Sequence, residues 1–223
     1  MKSYEEACGL AKALDLLGER WTLLVIRQLM FGPQRFTDLE AGLPGVPTSL
    51  LSSRLKELGE ARVIERRTLP PPAASTVYEL TEAGRELEGS IVQLARWGGR
   101  FGRPVSEEDA FNPQCMALGL LWLFRPDAAR AVRATYEVRA FGNVVSVVVN
   151  RGRVDVRVGP ADRPDLVIEV LDRAAGQAMT TGRLPATDAR MSDQVRIQGP
   201  DEALQDFMRI FAMEPVPAHA GTA

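Results

Sequence analysis

The chain has 223 residues, 45% of them hydrophobic and 25% charged, with a formal net charge of −2 at pH 7. That length supports one large domain or two ordinary ones, and the composition is that of a globular chain. A globally basic nucleic-acid binder is excluded: residues 1–104 hold 14 Lys and Arg against 13 Asp and Glu, and residues 105–223 hold 13 against 16, so any basic surface must be local.

Residues 4–17 carry Ala7, Leu10, Leu14 and Leu17 at helical spacing, and Gly18 ends the pattern. Trp21 to Phe31 is apolar nearly all round and reads as a buried helix stopped by Gly32-Pro33. Arg35 to Leu43 is a short helix with Phe36 and Leu39 inward, started by either Gln34 or Thr37. A fourth helix covers TSLLSSRLKELG; Pro47 suits its first turn, while Thr48 is the better capping side chain. Val63, Ile64 and Thr68 belong to one strand and residues 76–80 to a second, forming a hairpin whose tip is PPPAAS. Thr81 opens a long helix with Leu87, Ile91, Leu94 and Trp97 as its apolar stripe.

The second half has a different pattern. Residues 117–124 form an apolar helix. Three β-rich runs follow, joined at Gly142-Asn143 and Arg151-Gly152 as an antiparallel meander. Residues 165–170 read as a fourth strand, 171–182 as a helix closing on Gly182, QVRIQG as a fifth strand, and 200–211 as a last helix with Leu204, Phe207, Met208 and Phe211 on one side. The expected class is α+β: a winged helix-turn-helix domain at 1–101, a linker at 102–112, a mixed α/β domain with an antiparallel meander at 113–213, and a disordered tail at 214–223.

The fourth helix carries the functional signal. Leu51, Leu55 and Leu58 share one side, and Ser49, Ser52, Ser53 and Lys56 face the other. Serine is a mediocre helix former, so three on an exposed face call for a reason. Small hydroxyl side chains let a helix approach a major groove about 12 Å wide, and Ser, Thr and Arg bond to base edges or phosphates. The helix lies between the turn GLPGVP and a hairpin bearing Arg66 and Arg67, the order of a winged helix-turn-helix.

The run from Cys8 to Arg67, followed by YELTEAGRELEG, closely resembles the HxlR family of bacterial winged-helix regulators over about residues 4–101, most specifically in RWTLLVIRQLMFGPQRF and SSRLKELGEARVIERR. The resemblance implies a homodimer built by the terminal helices and bound to an inverted repeat in double-stranded DNA. Carried over by position, it implies a recognition helix at Thr48, Ser49, Ser52, Ser53, Arg54 and Lys56, a wing at Arg66, Arg67 and the 70–76 loop, and Arg35 near a phosphate. Ser49 departs from a position often basic in the family, which leaves the operator sequence open. Leu10, Leu87, Ile91, Leu94 and Trp97 are the interface candidates, because a half-chain of this size has more apolar surface than it hides easily; the alternative is that they pack within their own domain.

Residues 113–213 resemble the sterol carrier protein-like domain, most clearly in TTGRL and RIQGPDEALQDFMRIF. That resemblance implies an apolar tunnel, with Leu118, Leu121, Trp122, Phe124, Met179, Phe207, Met208 and Phe211 either lining a site for a hydrophobic effector or forming ordinary core. Cys8 stands where HxlR-type proteins carry a redox cysteine, followed here by Gly9 instead of their usual proline. Lys12, one turn on, would help its reactivity and Glu5 and Glu6 would oppose it.

Enzymatic and membrane roles find little support. The one histidine, His219, is in the tail, and no metal-ligand cluster or phosphate loop is evident. No cofactor is expected. No apolar run reaches eighteen residues, no signal peptide opens the chain, and Cys8 and Cys115 make no disulfide framework; the expected location is the cytoplasm. The reading is a dimeric regulator, a repressor by family expectation. The alternatives are a redox sensor through Cys8 and a lipid carrier that uses the winged helix as a dimer scaffold.

Overall fold

The computed structural model describes residues 3–72, 74–101, 106, 108–180 and 183–212. The expected tail with His219, positions 102–105 and 107 of the expected linker, position 73 of the wing loop and Gly182 lie outside the described residues. The fold is α+β, and the chain divides into two compact units, Met1–Gln93 and Leu94–Ala223. Among the described residues no helix is long and apolar enough to cross a membrane.

In the first unit, α1 spans Gly9–Leu17. It starts later than the periodicity suggests because Asp15 takes hydrogen bonds from the Ser3 hydroxyl (2.9 Å) and the Tyr4 N–H (2.9 Å), which draws the leading residues back along the helix. Helix α2, Thr22–Leu29, begins after Trp21, whose φ of 77° is incompatible with helix. It is not buried all round: Val25, Ile26 and Leu29 enter the core, while Leu24 stays 41% exposed. Helix α3, Phe36–Gly42, is capped at Arg35, where the backbone N–H donates to Asp38 (3.0 Å), so neither Gln34 nor Thr37 starts it.

Helix α4 runs Thr48–Glu60, with Pro47 extended just before it. Thr48 does not cap; its hydroxyl donates to Glu40 at 2.6 Å. Leu51, Leu55 and Leu58 are all buried, each contributing roughly 1.5–3 kcal/mol of hydrophobic stabilisation. Strands β1 (Ile64–Thr68) and β2 (Thr76–Leu80) pair antiparallel with Arg66 opposite Tyr78 and Arg67 opposite Val77. Gln34 adds a short third rung through paired bonds with Tyr78 (3.0 and 2.8 Å). The expected long helix is broken at residues 86–87 into α5 (Glu82–Arg85) and α6 (Glu88–Phe101). Thr81 caps α5 by accepting from the Gly84 N–H at 3.1 Å. Gly84 also sits against Val63, whose carbonyl oxygen lies 2.1 Å from where a Cβ would stand.

In the second unit, α7 spans Pro113–Leu123, starting four residues earlier than the apolar run because Asn112 caps it through the Cys115 N–H (2.8 Å). Strands β3 (Arg133–Ala140), β4 (Asn143–Asn150) and β5 (Arg153–Val158) form two tight hairpins. Their turns are Phe141-Gly142 and Arg151-Gly152, each with two successive positive φ values, the mirror-image turn that suits strand twist. Asn143 therefore already belongs to β4, correcting the expected Gly142-Asn143 turn. Strand β6 (Leu166–Val170) then pairs parallel to β3, and β7 (Val195–Gln198) antiparallel to β6, giving the order β5-β4-β3-β6-β7. The second half is thus more than a meander. Alternation marks a strand but does not name its neighbour. Helices α8 (Arg173–Thr180) and α10 (Asp201–Ile210) match the pattern; α9 (Ala186–Met191) is additional.

One sheet face is apolar, with Tyr136 and Val138 on β3, Val145, Val147 and Val149 on β4, and Leu166 and Ile168 on β6 all buried. Helix α7 packs on β4 and β5, and Phe207 of α10 meets Tyr136 edge-on at 5.3 Å. Residues 159–165 cross the other face. There the Ala161 N–H donates to Glu137 (2.8 Å), which also accepts from Arg139 (2.7 Å) and is only 2% exposed.

Candidate nucleic-acid interface

The geometry of α4 follows from its leucine spacing. With Leu51, Leu55 and Leu58 fixed in the core, positions 48, 49, 52, 53 and 56 are turned to solvent, and all five are exposed. The Ser52 hydroxyl donates to the Thr48 carbonyl (2.9 Å) and the Ser53 hydroxyl to Glu57 (3.0 Å). Both are local bonds at an exposed surface, which water or a base edge can replace at little cost. Lys56 lies 3.8 Å from Glu60 with both side chains largely in water, a pair of small worth.

Arg54 is placed differently. Its side chain is 13% exposed and its guanidinium pairs with Glu57 and, at 3.4 Å, with Glu19. It stands three residues after Leu51 and four before Leu58, toward the buried side of the helix. The structure therefore separates Arg54 from the exposed row and makes it a tie between α4 and the turn that joins α1 to α2.

The wing brings Arg66 and Arg67 onto one exposed strand. Arg67 is held by Glu79 across the hairpin (3.1 Å for one of its two bonds), and Arg66 has no ion pair among the described residues. Arg35 reaches the wing loop through Ser75 (Nε to Oγ, 3.1 Å). Two further groups position the site: Gln28, which the sequence did not single out, and Gln34, which it offered only as a helix start. Gln28, fully buried, donates to the Gly42 carbonyl (2.6 Å), and Gln34 donates to the Gln28 carbonyl (2.6 Å). These bonds fix α2, α3 and the turn between them. The available signal was a glutamine on the core side of an apolar helix, where an unpaired amide would be costly.

The apolar candidates divide. Leu10 is 68% exposed on α1; on α6, Leu94 is 54% and Trp97 64% exposed. Leu87 is half-buried, and Ile91 is buried in a single chain and so faces its own core. In the second unit Phe124, Met179, Phe207 and Phe211 are buried, while Leu118, Leu121, Trp122 and Met208 are half-buried. The Phe207 and Phe211 rings meet at a tilt of 38° with centroids 4.8 Å apart, and Phe124 lies 5.8 Å from Phe211. Within this cluster the Tyr136 hydroxyl is buried without a hydrogen-bond partner among the described residues, and burial pushes its pKa up to about 12.

Cys8 is exposed at the start of α1, and the backbone N–H groups of Ala11 and Leu10 hold its thiol below the ordinary range. The open helix end supplies this effect, where the sequence had suggested Lys12. Cys115 is half-buried, and both cysteines are free. Among the described residues no group of three or more His, Cys, Asp or Glu is placed to hold a metal ion.

The profile of the HxlR-like helix-turn-helix family matches residues 16–106. The transcriptional regulator YodB of Bacillus subtilis is 37% identical over 100 residues, covering 44% of this chain and 89% of YodB. The uncharacterized HTH-type transcriptional regulator Rv3095 of Mycobacterium tuberculosis is 43% identical over 96 residues, covering 43% of this chain and 60% of the relative, so the chain spans less than two thirds of that protein. The solved reduced form of Bacillus subtilis YodB is 34% identical, covers 45% of this chain and all of its own, and superposes with a TM-score of 0.40.

Proposed function

Because the chain belongs to the HxlR-like helix-turn-helix family through residues 16–106, we propose that it is a dimeric transcriptional regulator that reads an inverted repeat in double-stranded DNA, acting as a repressor. The observation that carries this reading is α4. Three leucines anchor one side, while Thr48, Ser49, Ser52, Ser53 and Lys56 are exposed on the other with no apolar side chain among them. That surface suits close approach to base edges, and Arg35, Arg66 and Arg67 supply phosphate contacts around it. The open apolar side chains of α1 and α6 are what a second copy would cover.

The test is fluorescence anisotropy of the purified protein on DNA from upstream of its own gene, with a scrambled control at two salt concentrations. Sequence-dependent binding that Ser49→Glu abolishes supports the reading. Equal affinity of Ser49→Glu and Lys56→Ala variants with wild type would remove α4 as the recognition element.

In this reading the second unit is a sterol carrier protein-like domain that takes an apolar effector, with the unpaired Tyr136 hydroxyl as its polar handle. A buried hydroxyl without a partner is costly, and a ligand carbonyl or hydroxyl would satisfy it. A second reading, redox control through Cys8, is favoured by the exposure of that thiol and its lowered pKa. An operator complex that is released by oxidant in wild type and equally in Cys8→Ser would eliminate it.

A further inference from the structure

The second unit carries a concentration of positive charge that the recognition helix and wing do not use. We propose that the arginines at one end of its sheet, Arg133, Arg151 and Arg153 with Arg125 and Arg130 beside them, make a second contact to the phosphate backbone of double-stranded DNA. This rests on the reading of the chain as a DNA-binding regulator.

Register places the group. Arg133 opens β3 opposite Asn150 of β4, and Asn150 stands opposite Arg153, which opens β5. Residues in one such row project from the same face, and strand spacing sets the two arginine stems about 10 Å apart. Arg151 is the first residue of the turn between β4 and β5, where its φ is 50°. That turn is fixed: the Arg151 N–H donates to the Val132 carbonyl (2.8 Å) and the Gly152 N–H to the Ala129 carbonyl (3.0 Å). These bonds dock it on the segment bearing Arg125 and Arg130, and all five arginines are exposed.

Four of these five arginines hold no carboxylate among the described residues, whereas five others on the unit do. Arg139, Arg157, Arg190, Arg196 and Arg209 each hold a carboxylate. In the cluster the one acid of the segment is Asp127, paired with Arg130 where both side chains are largely in water. The guanidinium groups of Arg125, Arg133, Arg151 and Arg153 make no hydrogen bond or ion pair among the described residues. Yet residues 105–223 carry three more acids than bases. Like charges held together on a rigid sheet end repel one another, and a polyanion relieves that repulsion. Duplex DNA presents a phosphate charge about every 1.7 Å along its axis, and guanidinium forks match phosphate oxygens.

The test compares the salt dependence of operator binding for the full-length wild type, a triple Arg133→Gln, Arg151→Gln, Arg153→Gln variant and the corresponding triple lysine variant, with circular dichroism to confirm an unchanged fold. Each phosphate contact contributes about 0.9 to the slope of log affinity against log salt. Loss of three contacts then shrinks the affinity ratio between roughly 50 and 200 mM salt by about forty-fold for each subunit that makes them. The glutamine variant is expected to show that loss while keeping its preference for operator over scrambled DNA, and the lysine variant to recover most of the slope. A wild-type slope in the glutamine variant overturns this contact and leaves the regulator reading intact, as does a lysine variant that recovers nothing. Absence of any DNA binding by wild type overturns both.

Discussion

Replacing Gly84 with alanine is the sharpest structural test of how the wing is held. Helix propensity alone favours the change, since alanine is better than glycine in a helix by roughly 0.5–1 kcal/mol. The structure opposes it: a Cβ at Gly84 would stand 2.1 Å from the Val63 carbonyl oxygen, so helix and hairpin must separate by more than about 1 Å to reach ordinary contact. Val63 cannot yield freely, because its carbonyl also accepts from the Thr81 N–H and hydroxyl, both at 3.1 Å. Overpacking of this kind costs about 1–3 kcal/mol, which outweighs the propensity gain. Gly89 is the control: five residues on, also helical, it meets nothing within 4 Å, and Gly89→Ala is expected to be neutral or to stabilise by at most about 1 kcal/mol. Urea denaturation followed by circular dichroism reads both. Gly84→Ala is expected to lower the midpoint, and also the affinity for operator, since Val63 is the foot of the hairpin. A Gly84→Ala protein as stable as wild type would show that the close approach to Val63 is not real.

Arg54→Ala is expected to cost roughly 1–3 kcal/mol, the penalty for stripping charge-assisted bonds from a largely buried group, while leaving the salt slope of DNA binding unchanged; a slope lowered by about 1 would return Arg54 to the phosphate contacts. Cys8 should alkylate with iodoacetamide faster than Cys115 at pH 7, and lose part of that advantage in denaturant, because the lowering depends on the folded end of α1; equal rates in the folded protein would contradict the lowered thiol. Tyr136 is expected to ionise near pH 12 in a spectrophotometric titration. With its folded pKa raised above the unfolded value of about 10, its contribution to stability is complete below about pH 10 and is lost as pH rises through 12. Full ionisation of all three tyrosines by pH 11 without unfolding would refute its burial.

The first unit was largely legible because its helices announce themselves by spacing. Leu51, Leu55 and Leu58 define one side of α4, and everything about its exposed row follows from them. Arg54 was misplaced because its partners are a residue one turn on and another, Glu19, thirty-five residues back; the second relation is invisible to any local pattern. Ile91 repeated with Leu94 and Trp97 at the same helical step, yet only the last two stay exposed, since spacing shows which residues share a side and not how far cover extends along it. In the second unit the strands were visible from alternation and the last helix from Leu204 and Phe207. The parallel partner of β3 was not, because Leu166 and Ile168 alternate the same way whichever strand lies beside them. Helix α9 lacked the apolar periodicity that would mark it, having Ala189 as its one buried residue.

The insertion of β6 beside β3 also sets the order in which this sheet can assemble. The β3–β4 and β4–β5 hairpins close over two-residue turns and require only microsecond, local events. Tyr136 must instead find Leu166 thirty residues away, and parallel pairing of that kind pays its loop-closure entropy before any contact rewards it. Until it does, β3 is an open edge with hydrogen-bonding groups free to capture another chain. Pulse-labelling hydrogen exchange during refolding should therefore protect the amides of β4 early and those of β6 late. A nascent chain that has made Val158 but not Val170 is the species most exposed to aggregation.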